Sequence, residues 1–221
     1  TVDSGTATTA QANALADETS GIVTATIAEG DLATLSGLTG TGNAYAITIS
    51  DTAVNAAILN AINNKTINDI NGQNIIQIEG TAEDIATAYT AGGINGLGDE
   101  EIIFTASNIN ASDLIAIDSA NSQVIDASTL TTLTGTAVDL NTAFESGGIS
   151  NLGDEDVTLT DTSLTTSVLN ALDNNTTGSI DASTLNTLTG AAVDLNTAFD
   201  SGGISNLGDE DVTLTDTSLT A

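Results

Sequence analysis

IDASTLTTLTGTAVDLNTAFESGGISNLGDEDVTLTDTSLT, residues 125–165, decides the fold, because the chain writes it twice. It returns as residues 180–220, changed only at Thr131/Asn186, Thr136/Ala191 and Glu145/Asp200. Gly135 recurs as Gly190, a period of 55 residues. Gly80 stands one period before Gly135, and GTAEDIATAYTAGGINGLGDEEI from Gly80 aligns with GTAVDLNTAFESGGISNLGDEDV without a gap. Two periods separate ITISDTAVNAAILNAINN at Ile47 from VTLTDTSLTTSVLNALDNN at Val157, and TTAQANALADETSG from Thr8 is similar to TTSVLNALDNNTTG from Thr165. A fixed period on the order of 20–50 residues marks solenoids, propellers and arrays. The expected boundaries are a degenerate N-terminal repeat over 1–46, repeats over 47–101, 102–156 and 157–211, and the start of another over 212–221. The text opens inside one repeat and stops inside another, without capping ends, so a segment of a longer array is expected.

Composition narrows the chemistry. Aromatic residues make up 2% of the chain and there is no Trp, so Ala, Ile, Leu and Val must fill a thin, regular interior. Thirty acidic residues face a single cation, Lys65, for a net charge of −29. Nucleic acid is excluded as a partner, because phosphate binding needs Lys or Arg. Anionic membrane surfaces are repelled, and no apolar run approaches the roughly 20 residues that span a bilayer. Cys, His, Met and Pro are absent, which removes disulfides, thiol nucleophiles, imidazole bases and Cys/His zinc sites.

Each period reads as two strand-then-helix units, one about every 27 residues, half of the 55-residue period. In the first, the Ile-rich 74–79 (NIIQIE) and its counterpart 129–134 (TLTTLT) form a strand. Ile70, Ile125 and Ile180 plug the core from the turn before it, and Gly80, Gly135 and Gly190 break it. Thr81 with Asp84 and Thr136 with Asp139 have the spacing of a helix N-terminal cap. Ala137, Leu140, Ala143 and Phe144 share one helical face, so the aromatic at Tyr89, Phe144 and Phe199 is expected in the core. The paired glycines at 92–93, 147–148 and 202–203 supply left-handed C-caps. In the second unit, Val157 and Leu159 alternate with Thr158 and Thr160 along a strand. Asp161 or Thr162 caps the next helix, which carries Leu164, Val168, Leu169 and Leu172. Residues 22–28 and 31–38 form a shortened first unit. Strand and helix in alternation give parallel pairing. The predicted fold is therefore α/β: a leucine-rich-repeat-like solenoid with a 55-residue period of two βα half-repeats, one long parallel sheet and helices along its other side. A doubly wound α/β domain is the rival.

Three features are candidates for function. The acidic loops Asp99–Glu100–Glu101, Asp154–Glu155–Asp156 and Asp209–Glu210–Asp211 offer carboxylates of the kind calcium takes. Two strands apart they would lie roughly 9.6 Å from one another, at about 4.8 Å per strand. They lack a DxDxDG loop, and a solvated acidic edge is the simpler explanation. The threonines Thr158, Thr160, Thr213 and Thr215 would form a flat outward array of the kind ice-binding solenoids use, although Thr also simply suits a strand. Enzyme chemistry is not expected, because every prominent acid recurs and no pocket interrupts the repeat.

The repeat text, with its Gly-Gly-Ile-x-x-Leu-Gly and Leu-Asn-x-Leu-Asp patterns over residues 47–221, resembles tandem repeats of very large cell-surface and secreted proteins of marine cyanobacteria. Some of those are of the haemolysin-type calcium-binding class. This segment lacks the calcium-binding nonapeptide of that class. The resemblance implies an extracellular or cell-surface structural protein: a surface-array, filament or adhesin-stalk module acting as a rigid acidic rod. Like subunits or further repeats joined end to end are its expected partners. The alternative is a calcium-dependent adhesive module, with Ca2+ on the acidic loops and cell-surface glycans as its target.

Overall fold

The structure, a computed structural model, describes residues 5–217. The ends of the first and last expected repeats, 1–4 and 218–221, lie outside the described residues. The chain forms two compact units. One holds the residues up to Thr105 together with Ser119–Gln123, the other Ala106–Asp118 together with the chain from Val124 onward.

Short strands and one-to-three-turn helices alternate throughout. The N-terminal elements are β1 (Thr6–Ala7), α1 (Thr9–Glu18), β2 (Thr24–Ile27), α2 (Leu32–Leu35) and β3 (Ala44–Ala46). Then come β4 (Ala53–Asn55), α3 (Ala56–Asn63), β5 (Ile70–Asn71), β6 (Gln77–Gly80), α4 (Ala82–Thr90), β7 (Ile94–Asn95) and β8 (Glu101–Phe104). The next period has β9 (Asn108–Asn110), α5 (Ala111–Ala120), β10 (Ile125–Asp126), β11 (Thr132–Gly135), α6 (Ala137–Glu145), β12 (Ile149–Ser150) and β13 (Asp156–Leu159). The last has β14 (Ser163–Thr165), α7 (Thr166–Asn175), β15 (Ile180–Asp181), β16 (Thr187–Gly190), α8 (Ala192–Asp200), β17 (Ile204–Ser205) and β18 (Asp211–Leu214).

Every strand pair among the described residues is parallel, as the alternation of strand and helix requires. The strands do not form one long sheet. They divide among β1–β2–β3, β4–β6–β8, β5–β7, β9–β11–β13–β15–β17, β10–β12 and β14–β16–β18. The registers explain the division. Leu133 faces Val157, Ile78 faces Ile102, and Leu164 faces Leu188, each pair 24 residues apart. From Asp156 to the equivalent Thr187 of β16 is 31 residues. The period is therefore two unequal turns of 24 and 31, and the longer one contains an extra strand, β9 or β14. β13 is where the ladder steps across. One edge meets β11 through Thr132↔Asp156, and the other meets β15 through Val157↔Ile180. In the N-terminal sheet the spacing is 20, as in Thr6↔Thr26 and Thr24↔Ala44, which bears out the shortened unit.

The buried set recurs with the text. Ile70, Ile125 and Ile180 are buried, as are Ile78, Leu133 and Leu188, and Leu59, Leu114 and Leu169. The first trio sits in strands, not in turns, so the plug of the sequence reading is a ladder residue. Leu164 likewise belongs to β14 and not to the helix after it. Gly80, Gly135 and Gly190 end their strands as paired residues rather than breaking them. Their lack of a side chain serves close approach: a Cβ would lie 3.1 Å from Ala56 Cβ at Gly80, 3.2 Å from Ala111 Cβ at Gly135, and would run into Thr166 at Gly190.

The expected caps are present on α4 and α6. Thr81 Oγ1 accepts from Asp84 N at 3.1 Å, and Thr136 Oγ1 from Asp139 N at 3.2 Å. Ala191 leaves α8 without a side-chain cap. Asp161 does cap a helix, but an earlier one. Its Oδ2 accepts from Ala137 N, the first residue of α6, at 2.7 Å, and Asp216 serves Ala192 in the same way. The left-handed glycine appears after α4, at Gly92 and Gly93. After α6 and α8, extended Ser146 and Ser201 end the helix instead, bonding to Asp118 and Asp173 at 2.6 and 2.7 Å. There the second glycine of each pair makes room for that aspartate. The recurring aromatic is not core: Tyr89 and Phe144 are half-buried and Phe199 is exposed. The buried aromatics are Tyr45 and Phe104.

Candidate functional site

The acidic loops precede β8, β13 and β18. Within each, the strand's alternation sends neighbouring carboxylates in opposite directions. Asp99 and Glu101, and likewise Asp154 and Asp156, face solvent, while Glu100 is 0% and Glu155 1% exposed. The buried glutamate folds back on its own loop. Glu100 Oε2 accepts from Gly98 N at 2.8 Å and Asp99 N at 3.2 Å, and Glu155 Oε2 from Gly153 N and Asp154 N at the same distances. Glu210 accepts from Gly208 N at 2.9 Å. Asp209 and Asp211 are exposed. Gly98, Gly153 and Gly208 hold positive φ, of 146°, 139° and 134°, so the turn that presents these amides favours glycine.

The next turn of chain clamps the loop. Asn121 Nδ2 donates to Glu100 O at 2.7 Å; one period later Thr176 Oγ1 donates to Glu155 O, also at 2.7 Å. Asn121 and Thr176 are both buried. In the first copy Tyr89 Oη donates to Glu100 Oε2 at 2.7 Å. Burial, and then this contact with Glu100, push the Tyr89 phenol far above its ordinary range. Phe144 and Phe199 have no such hydroxyl. The remaining oxygen, Oε1, of Glu100, Glu155 and Glu210 is buried without a hydrogen-bond partner.

The nine candidate metal ligands, Asp99, Glu100, Glu101, Asp154, Glu155, Asp156, Asp209, Glu210 and Asp211, are thus not gathered into a cage. Among the described residues no three acidic, His or Cys side chains lie together as a metal site would require. The loops are not stacked two strands apart either, because β8, β13 and β18 belong to three different sheets. The same fact dissolves the threonine array. Thr158 lies beside Thr134 and Asp181, whereas Thr213 lies beside Thr189 in another sheet.

A second polar pair links successive turns. Asn151 and Asn206 adopt left-handed backbone with φ of 61° and donate Nδ2 to Asp126 and Asp181 at 2.8 Å. These bonds, with those from Ser128 and Ser183, hold both aspartates below the usual carboxylate range. The sequence reading missed the pair. Its trace in the text is the Asn that stands where the first copy has Gly96, itself left-handed. A shallow apolar groove lined by Leu35, Ala57, Ile58, Ala61, Ile62 and Lys65 contains no acid, nucleophile or base besides that lysine.

No family model, curated protein or solved structure matches this chain. Among the described residues no helix is long and apolar enough to cross a membrane.

Proposed function

We propose that this chain is a structural segment of an extracellular or cell-surface repeat protein, an α/β solenoid whose 55-residue period is built from turns of 24 and 31 residues. One observation carries the reading. Residues 55 apart occupy matching positions in both strand register and burial, down to the buried glutamate and the clamp at Asn121 and Thr176. In such an array each turn is stabilised by its neighbours, and function follows from length, regularity and charge rather than from a single pocket. The rigid acidic rod is part of this proposal and rests on the repetition in the sequence. Further repeats or like subunits are its partners. The recurrence of every prominent acid supports a protein that is not an enzyme.

Excision tests the architecture. Deleting residues 136–190 joins Gly135 to Ala191 in frame and removes one period. A solenoid closes over the gap, keeping its circular dichroism per residue and a cooperative melt. A closed globule that loses a quarter of its chain unfolds. Labelling intact cells of the source with antibody, against permeabilised cells, tests the location.

The second reading, calcium-dependent binding, draws on the unpartnered Oε1 of Glu100, Glu155 and Glu210. Against it, calcium takes about 6–8 oxygens, and each loop turns only one carboxylate inward. Calcium titrated at constant ionic strength decides. Saturable stabilisation that NaCl does not reproduce favours the second reading, and equal stabilisation by both salts favours the first.

A further inference from the structure

The last strand of the described chain exposes a surface that the preceding copy covers. On β13, Val157 and Leu159 are each 1% exposed. On β18, one period later, Val212 and Leu214 are each 47% exposed, and Phe199 nearby is also open. Both strands use one edge identically, β13 on β11 and β18 on β16. The difference is the other edge. β13 carries β15 there, with Val157 N donating to Ser179 O at 2.8 Å and Ile180 and Ala182 fully buried in the turn that follows. The second edge of β18 has no strand among the described residues.

We propose that this face, Val212 and Leu214 with the free edge of β18, docks a second copy of this chain. The proposal rests on the repeat reading above. The protein itself shows what covers the surface: a parallel strand and turn of the same repeat, with small apolar side chains and backbone groups spaced to match. A copy of the chain carries a suitable edge, since β1 is the outermost strand of its sheet and is paired on one side only among the described residues. An uncovered strand edge is a template for pairing. Charge opposes the contact, because each copy carries −29. The Debye length falls from about 30 Å at 0.01 M salt to about 3 Å at 1 M, so docking strengthens steeply with ionic strength.

Sedimentation velocity over a concentration series, in 0.02 M and 1 M NaCl, reads the association. The expected result is a monomer at low salt and reversible association at high salt, weakened by about tenfold or more in V212D/L214D, as for central apolar contacts of an interface. The milder V212T/L214T keeps strand-forming side chains and should weaken association less, with an unchanged far-ultraviolet spectrum. V138D, which alters an exposed valine on α6, should associate as the parent does. A monomer at every salt concentration, or association indifferent to both variants at β18, overturns the proposal. The excision of 136–190 leaves this face intact, so its result bears on the repeat architecture alone.

Discussion

The buried glutamate is the residue on which the acidic loops turn. Its burial is tolerated because two amides of its own loop bond the carboxylate, and a buried donor left without its acceptor costs about 1–3 kcal/mol. Glu155→Ala orphans the amides of Gly153 and Asp154 and should destabilise by about that amount, read as a lower urea midpoint. Asp154→Ala, on the exposed side of the same loop, should leave the midpoint close to the parent. Equal losses from the two would mean that the loop acts through its summed charge. Thr166 poses the opposite case. It stands where Ala56 and Ala111 stand in earlier copies, its hydroxyl is buried without a partner, and it crowds Gly190. Thr166→Ala should therefore be neutral or stabilising, by up to about 1–2 kcal/mol, because it removes an unsatisfied group. Neither role could be read from the sequence. GDED announces charge, but which of three adjacent acids points inward depends on strand phase, and a one-residue slip would have exchanged them.

At the scale of elements, local signals were legible and those running between turns were not. The caps at Thr81 and Thr136 follow from a three-residue spacing, and the structure has both. Asp161 lies just ahead of a helix, yet its carboxylate serves Ala137, 24 residues earlier, a partner that exists only once turns stack. The extra strands β9 and β14 escaped notice because three residues are too few to display a period of two. Averaging the period into halves of equal length hid the 24 and 31. The repeat also supplies its own controls. Ala191→Thr restores to α8 the cap that α6 has and should stabilise by about 1 kcal/mol, a rise of about 2–4 °C in Tm for a chain of this size. The aspartates bonded by Asn151 and Asn206 give a pH prediction. Their folded pKa values lie below the ordinary value near 3.9, so the unfolded chain binds more protons in that window. The pairs therefore add stability above the unfolded value and lose it as pH falls through the lower folded one. Nuclear magnetic resonance titration should place Asp126 and Asp181 below typical aspartates, and Asn151→Gly should move Asp126 up while leaving Asp181 alone.

For the molecule as a whole, charge is the property that composition revealed most directly and that sequence motifs interpreted least well. With 30 carboxylates and one lysine, opposite charges cannot pair off the acids, so folding confines like charges that the unfolded chain holds farther apart. The contacts between turns are backbone ladders and apolar rows, which salt does not screen, so added salt weakens the opposing term and leaves the supporting one. Stability should accordingly rise monotonically with NaCl between about 0.01 and 1 M, most steeply while the Debye length shrinks through the 10 Å range. Melts at low protein concentration, where V212D/L214D and the parent should respond alike, separate this screening from any stabilisation by self-association. KCl should match NaCl at equal ionic strength, because screening depends on concentration and valence. A stability that is flat or falls with salt would mean that the carboxylates stand far enough apart to ignore one another. The acidity would then serve only solubility and would set no limit on how tightly the turns can stack.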